Sequence, residues 1–440
     1  MKFYSFKSLF FFFSVILLSS CLGTEDVVDT SDDATFVSLT FAANDSIPNI
    51  EDAVFTLVGR TIQNVDSLPF NTRIDSVNPT FSFKSTYVAV INDSTYLTGT
   101  DTLDFTLPVK LRNFASNGIA YEDYIIKVNV HQVDPELYIY KKLYDIAESQ
   151  SIVNQKTIYF NDKIYYYRNN STNYFLNTSL NGSVWSESVT VSGLPANASL
   201  NDMLTFSGKL YLSSGGKIYS SADGSIWSIE NSFSASYFES ILFTLNDEMW
   251  LIAKIGQTYH FAHFTEGGAP KIIGEIPVNF PVTDFSALSF TSRSGKTKAI
   301  VVGGKDSDGK ILRTNWSTEN GIYWIDFSDK NFNTKSTTLD TLALGSSIIA
   351  YDNKLLLFGA RNNTGSVVEN HFKESIDEGY TWQTPDSASN YLPESYQARS
   401  FQSVIVDNSD RIFIVGGKSQ GTVSSDVWTC KLNRKSFIIQ

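Results

Sequence analysis

Short alternating strands fill one part of this chain, and a repeated strand–turn–tryptophan unit fills the other. Within residues 34–135, apolar and polar positions alternate over 35–41, 53–57, 80–83, 87–91 and 124–130. A period of two puts one face of a strand on a core and the other in water. Turn residues punctuate these strands at Asn44-Asp45, Asn92-Asp93 and Asn117-Gly118. A stretch of this length, with short strands of alternating faces, predicts an immunoglobulin-like β-sandwich module over 34–135.

Beyond residue 150 a hydrophobic strand runs repeatedly into a turn of Ser, Asp or Asn and Gly, with a tryptophan following. One copy holds Ser375, Asp377, Gly379 and Trp382, and a second holds Ser317, Glu319, Gly321 and Trp324. Two copies one residue shorter hold Ser179, Asn181, Gly182 and Trp185, and Ser221, Asp223, Gly224 and Trp227. Earlier in each unit a tight turn opens the second strand, at 161–162, 207–208, 246–247, 294–295, 352–353 and 408–409. That period suits one four-stranded blade per unit, so residues 136–440 are expected to form a six-bladed β-propeller. A seventh blade would have to lie near residues 136–151. Second strands often end in small residues, as at Gly215-Gly216, Gly303-Gly304, Gly359-Ala360 and Gly416-Gly417, where positive φ and close backbone approach are expected. The third unit lacks the tryptophan, and Phe437 takes its place in the sixth. All seven tryptophans fall in this region, where flat rings can cover the seams between blades. The fold class is therefore all-β.

Composition agrees: 14% of residues are aromatic and only 18% charged, a mix that suits half-buried pleated surfaces. Residues 1–20 read as a signal peptide, with Lys2 and Lys7 ahead of an apolar run too short to span a bilayer. Residues 18–21, Leu-Ser-Ser-Cys, resemble a bacterial lipobox, which implies diacylglyceryl attachment to Cys21 and cleavage before it; an ordinary secretory signal is the alternative. Residues 21–33 are polar and acidic, as expected of a flexible tether. They also resemble the surface-export signal of Bacteroidetes lipoproteins. The expected location is thus the cell envelope, lipid-anchored at the outer membrane and facing outward. Net charge is −12, and losing the two leader lysines makes it −14, which disfavours nucleic acid and anionic membrane surfaces as partners. With Cys21 lipidated, Cys430 has no disulfide partner and reads as a small apolar filler in its strand.

The Ser-x-Asp-x-Gly-x-x-Trp turns resemble the Asp-box of sialidase-like propellers, and Gly416-Gly417 with Asp426 and Trp428 resembles a kelch repeat. Asn64-Val-Asp66-Ser-Leu-Pro69 and the exit around His131 and Pro135 make the whole mature chain resemble a two-domain Bacteroidetes lipoprotein family of unknown function. That resemblance implies a small β domain ahead of a propeller and carries no activity. The recurring turn residues read as structural, since turns repeated in many blades cannot all be one active site. A sialidase would need three arginines on a substrate carboxylate and a Tyr–Glu pair, and its Arg-Ile-Pro signature is absent. His260 and His263 alternate to opposite faces of a strand and cannot share one metal ion; no metal or cofactor is expected. Loops leading into the inner strands crowd the channel mouth and offer Tyr237, Glu239, Asp284 and Arg399 as binding residues. For each, a hydrogen bond between blades or a solvated loop position is the competing reading. The expected function is non-catalytic binding or scaffolding of a glycan or protein at the cell surface, the alternative being a carbohydrate-active hydrolase or lyase at the channel mouth.

Overall fold

The computed structural model describes residues 30–93, 95–96, 101–146, 152–234, 236–328, 344–361, 372–385, 392–419 and 422–436. Cys21, most of the tether and Phe437 lie outside the described residues. The chain divides into two compact units, Met1–Pro135 and Glu136–Gln440.

The first unit pairs Phe36–Phe41 with Pro79–Phe83 in a two-stranded sheet, beside a mixed sheet of six strands. Within the latter, Val109–Phe114 and Tyr121–Lys127 are antiparallel, while Thr61–Asn64 runs parallel to Tyr121–Lys127. Both sheets turn residues into one core, including Phe36, Leu39 and Phe41 from one and Ile62, Leu111 and Ile126 from the other. Burial alternates along Val109–Phe114, whose other face is left to solvent.

The second unit obeys a different rule. Its second strands are buried on both faces, because each sheet lies between two neighbours, so Lys163–Asn169, Glu248–Ile255 and Ile412–Ser419 are buried along most of their length. Six antiparallel sheets are present among the described residues. Their inner strands are Asn154–Phe160, Leu204–Phe206, Tyr237–Leu245, Ser286–Thr291, Ser347–Tyr351 and Ser403–Val406. Each seam between consecutive sheets holds its own apolar cluster. The seam joining the sixth sheet to the first packs Phe413, Val415 and Val427 on Ile164 and Tyr166, so the cycle is closed. The outer strand of the sixth sheet comes from the other end of the unit: Tyr138–Lys142 pairs antiparallel with Thr422–Leu432. Closure is thereby held by backbone hydrogen bonds between residues about 290 positions apart.

Inner and second strands are joined in four sheets by two-residue turns. Asn161-Asp162, Ser207-Gly208, Asn246-Asp247 and Asp352-Asn353 have positive φ at both positions, the geometry that matches the twist of a hairpin. The fourth and sixth hairpins are longer. Ser292 and Asp407 N–H donate to the carbonyls of Lys296 and Arg411, and positive φ falls on Gly295 and Asp410.

The four tryptophan turns share one hydrogen-bond plan, but in the fourth sheet its register differs from the sequence expectation. Ser317 and Glu319 do not build that turn. Thr318 Oγ1 accepts from Gly321 N–H at 2.8 Å and donates to the Tyr323 carbonyl at 2.7 Å, and Asn320 Oδ1 accepts from Ile322 and Tyr323 N–H. Ser317 instead donates to the Ala299 carbonyl at 3.3 Å, and Glu319 pairs with Lys296 and Lys298. The shorter form fits because Asn accepts both N–H groups as well as Asp does. It recurs with Ser179 and Asn181, and with Ser221 and Asp223. Only the turn with Ser375 and Asp377 has the extra residue, Glu378, which sits at φ 63°. Asn320→Ala is expected to cost about 1–2 kcal/mol in urea unfolding by leaving two N–H groups unpaired, and Glu319→Ala close to nothing. The reverse ranking would restore the longer register.

Each turn also packs across a seam. Gly321, at φ 72°, sits so close to the Trp250 ring of the third sheet that a Cβ there would lie 2.3 Å from it. Trp324 stacks on Phe261 of that sheet at 4.9 Å between centroids.

Candidate functional site

The six inner strands surround a cavity of about 360 Å³. Neighbouring inner strands do not form a ladder with one another, so their edge groups need other partners. Serine hydroxyls supply them. Ser403 Oγ accepts from Thr157 N–H at 2.7 Å, Ser286 Oγ accepts from Ile348 N–H at 3.0 Å, and Ser240 Oγ donates to the Val282 carbonyl at 2.8 Å. Three of the strands reach the cavity the same way. Asp284, Gly345 and Phe401 have positive φ, and two residues later stand Ser286, Ser347 and Ser403. This repeat of a left-handed residue followed at +2 by serine is readable in the chain once its frame is known.

At one end the lining becomes charged. Lys156 Nζ donates to the Asn201 carbonyl at 2.9 Å, Asn201 Nδ2 to Asp284 Oδ1 at 2.7 Å, and Lys305 Nζ to Asp284 Oδ2 at 2.8 Å. These bonds run from the first sheet through the loop ahead of the second to the fourth, so they cross the cavity mouth. Asp202 lies beside them. Its carboxylate accepts from Ser213 Oγ and from Ile241 N–H at 3.0 Å, while Oδ1 is buried and has no hydrogen-bond partner among the described residues.

Of the four residues expected to bind at the mouth, only Asp284 lines this cavity. Tyr237 is half-exposed and lies over Gly216, opposite Lys254 in its hairpin. Glu239 falls at a bulge between Phe238 and Ser240, which takes it out of the strand's alternation; its carbonyl accepts from Ser213 Oγ at 3.0 Å. Arg399 is buried. It donates through Nη1 and Nη2 to the Asp426 carboxylate and through Nη1 to the Gly416 carbonyl, and its guanidinium lies 4.3 Å from the centre of the Tyr396 ring. Its charge is spent inside the sixth sheet. Lys156, Asn201 and Asp202, which line the cavity, and Lys305, which reaches it through Asp284, were missed because positions brought together across the ring have no common spacing.

Residues 134–440 match the DUF6242 beta propeller domain, and residues 26–128 the DUF6242 N-terminal domain. The chain belongs to the DUF6242 family. No curated protein matches it. Similar solved structures include one titled "Structure of YjhT", at 11% identity and TM-score 0.44, covering 65% of this chain and 96% of its own. A Penicillium chrysogenum alpha-L-arabinanase complexed with arabinobiose is 8% identical with a TM-score of 0.43, covering 68% and 99%.

In this DUF6242 chain, Asp202 ties stability to pH. Burial pushes its carboxyl up to about 6 from an ordinary 3.8, against the bonds from Ser213 and Ile241 N–H and the charge of Lys156. The folded state therefore holds the proton where the unfolded chain has lost it. Asp202 favours folding below about pH 3.8, and that contribution disappears as the pH rises through about 6. Asp202→Asn should flatten the fall in unfolding free energy between pH 4 and pH 6 by roughly 1–3 kcal/mol, measured with urea at each pH. An unchanged slope would place the titrating group elsewhere.

Proposed function

We propose that this DUF6242 chain is a lipid-anchored protein of the outer cell surface whose propeller cavity binds a glycan without turning it over. The observation that carries this reading is the state of the cavity's two carboxylates. Asp284 is held by Asn201 and Lys305, and Asp202 by Ser213 and Ile241 N–H, so both act as cross-links between sheets. Apart from Lys156, whose ammonium is held by the Asn201 carbonyl, the rest of the lining offers hydroxyl, amide and apolar groups, the mixture that orients a polar ring without attacking it. A cavity of about 360 Å³ is at the small end of ligand sites, which favours the terminal residues of a saccharide over a protein loop. The lipobox-like residues 18–21 and the acidic tether support the anchor at Cys21 and the outward location. The tryptophan turns, close in form to Asp boxes, belong in this reading to the scaffold.

One observation favours the competing enzyme reading: two carboxylates line a single cavity, and the pKa of one is raised, as in acid–base pairs that cleave glycosidic bonds. A glycan array probed with the detergent-solubilised full chain, beside product analysis of every glycan retained, separates the two. Retention with intact glycans supports the binder. Cleavage that is lost in Asp202→Asn and Asp284→Asn would replace it with a hydrolase or lyase. Mass spectrometry of the amino-terminal peptide reports the acyl chains on Cys21 directly.

A further inference from the structure

Three consecutive sheets place a cation at the same point of the fold. In the fourth, fifth and sixth sheets the second strand runs into a small-residue pair followed at once by a basic residue: Gly303-Gly304-Lys305, Gly359-Ala360-Arg361 and Gly416-Gly417-Lys418. Each basic residue then forms a bridge with the loop ahead of its own sheet's inner strand, Lys305 with Thr283, Arg361 with Leu344 and Lys418 with Ser400. The residues following those loop partners are Asp284, Gly345 and Phe401, the positive-φ residues that line the cavity. Lys305, Arg361 and Lys418 are thus structural equivalents on one arc of the mouth. A similar Gly215-Gly216-Lys217 in the second sheet does not join them, because Lys217 opens the third strand there and is exposed.

Among the described residues the arc is richer in positive than in negative charge. Of the three equivalent positions facing it, one is glycine, one phenylalanine, and only Asp284 carries a charge. Asp284 takes Lys305 as its ion-pair partner. Lys418 has no ion-pair partner among the described residues; its Nζ lies 5.8 Å from the centre of the Phe401 ring. Arg361 fixes its guanidinium by donating Nε to Ser400 Oγ at 2.9 Å. Burial first, and then repulsion from Arg361, pull Lys418 below the usual lysine range, with Asp284 acting the other way. Cations crowded at a half-buried rim, in a chain of net charge −12, need a reason to be there.

We infer that this arc is a subsite for a carboxylate-bearing saccharide, whose carboxylate displaces Asp284 from Lys305 and Asn201 and is shared with Lys418 and Arg361. Asp284 is then an internal stand-in for the ligand, keeping the cations in position while the site is empty. The inference rests on the cavity being a glycan site and adds the charge of the glycan.

The test is calorimetric titration of the full chain in detergent with trigalacturonate, its methyl ester and inorganic phosphate. Trigalacturonate is expected to bind at least roughly tenfold more tightly than the ester, with affinity falling as salt rises. Lys418→Met should weaken trigalacturonate roughly tenfold and leave the ester unchanged. Asp284→Asn, which removes the competitor and keeps a residue tolerant of positive φ, should tighten it. A merely structural Asp284 would show no change or a loss, and either overturns the proposal. Equal binding of acid and ester overturns the anion subsite while leaving the glycan cavity standing. Phosphate binding as tightly as trigalacturonate would reduce the arc to a free-anion site and also overturn it. Failure of trigalacturonate and its ester, with other glycans retained on the array, again removes only the subsite; a silent array removes the cavity reading itself.

Discussion

Arg399→Met should destabilise the propeller by about 3–5 kcal/mol, because it leaves a carboxylate buried without its counter-ion. The side chains of Arg399 and Asp426 are 4% and 11% exposed. Burial alone would push Asp426 up, yet Arg399, Ser424 Oγ and Trp428 Nε1 together hold its carboxyl below the ordinary 3.8. Those partners are why the charge survives inside. Asp426 therefore adds stability above pH 3.8 that is lost as the pH falls through its lower folded value. With Arg399 gone, Tyr396 loses the cation over its ring, the Gly416 carbonyl loses a donor, and Asp426 keeps only two neutral ones. Urea unfolding at pH 7 measures the cost. Arg399→Met combined with Asp426→Leu should recover much of it, since replacing both members of a buried pair with apolar groups is often neutral. If the single variant loses less than about 1 kcal/mol, the pair is a solvated one and Arg399 returns to the candidates for ligand contact.

This pair also shows what local sequence can and cannot carry. Strands and two-residue turns are local, so alternation in the first unit and the Asn-Asp turns of the second were legible from neighbouring residues. The register of the fourth tryptophan turn was misassigned because Ser317 and Thr318 are both hydroxyl residues; what separates them is which one meets Gly321 N–H. Arg399 looked like a mouth residue because its loop precedes an inner strand, but its partner is 27 residues away and invisible to spacing. Glu239 was lost to a bulge, which no pattern of apolar residues announces. The closing strand, Tyr138–Lys142, is as plausible in sequence for either sheet edge and is fixed only by the ring. Lys305, Arg361 and Lys418 are the opposite case. Each follows a small-residue pair already recognised as a point of convergence, so the signal was in the sequence and its meaning came from the fold.

Trp227→Ala is expected to cost about 3–5 kcal/mol, the range for removing a fully buried aromatic and leaving a cavity. Trp227 belongs to the second sheet but fills the seam with the first, where it is 3% exposed and meets Tyr167 edge-on at 6.3 Å. Its Nε1 donates to the Gly224 carbonyl at 3.1 Å, an acceptor it shares with the Tyr167 hydroxyl at 2.8 Å. Losing the indole thus leaves that carbonyl paired, and the cost comes from packing. Trp227→Phe, which restores a ring but no N–H, should accordingly recover more than half of the loss. Trp185 offers the control. It makes the same bond to Gly182, at 3.0 Å, but is only partly buried against Tyr166, so Trp185→Ala should cost clearly less. A closed ring adds one consequence: every sheet is held by two seams, so weakening one loosens its neighbours together. Urea transitions followed by backbone and by aromatic circular dichroism should therefore shift in step, with the slope unchanged. Early loss of the aromatic signal in Trp227→Ala, with the backbone transition left in place, would mean that the sheets unfold one at a time and that the ring is not the cooperative unit.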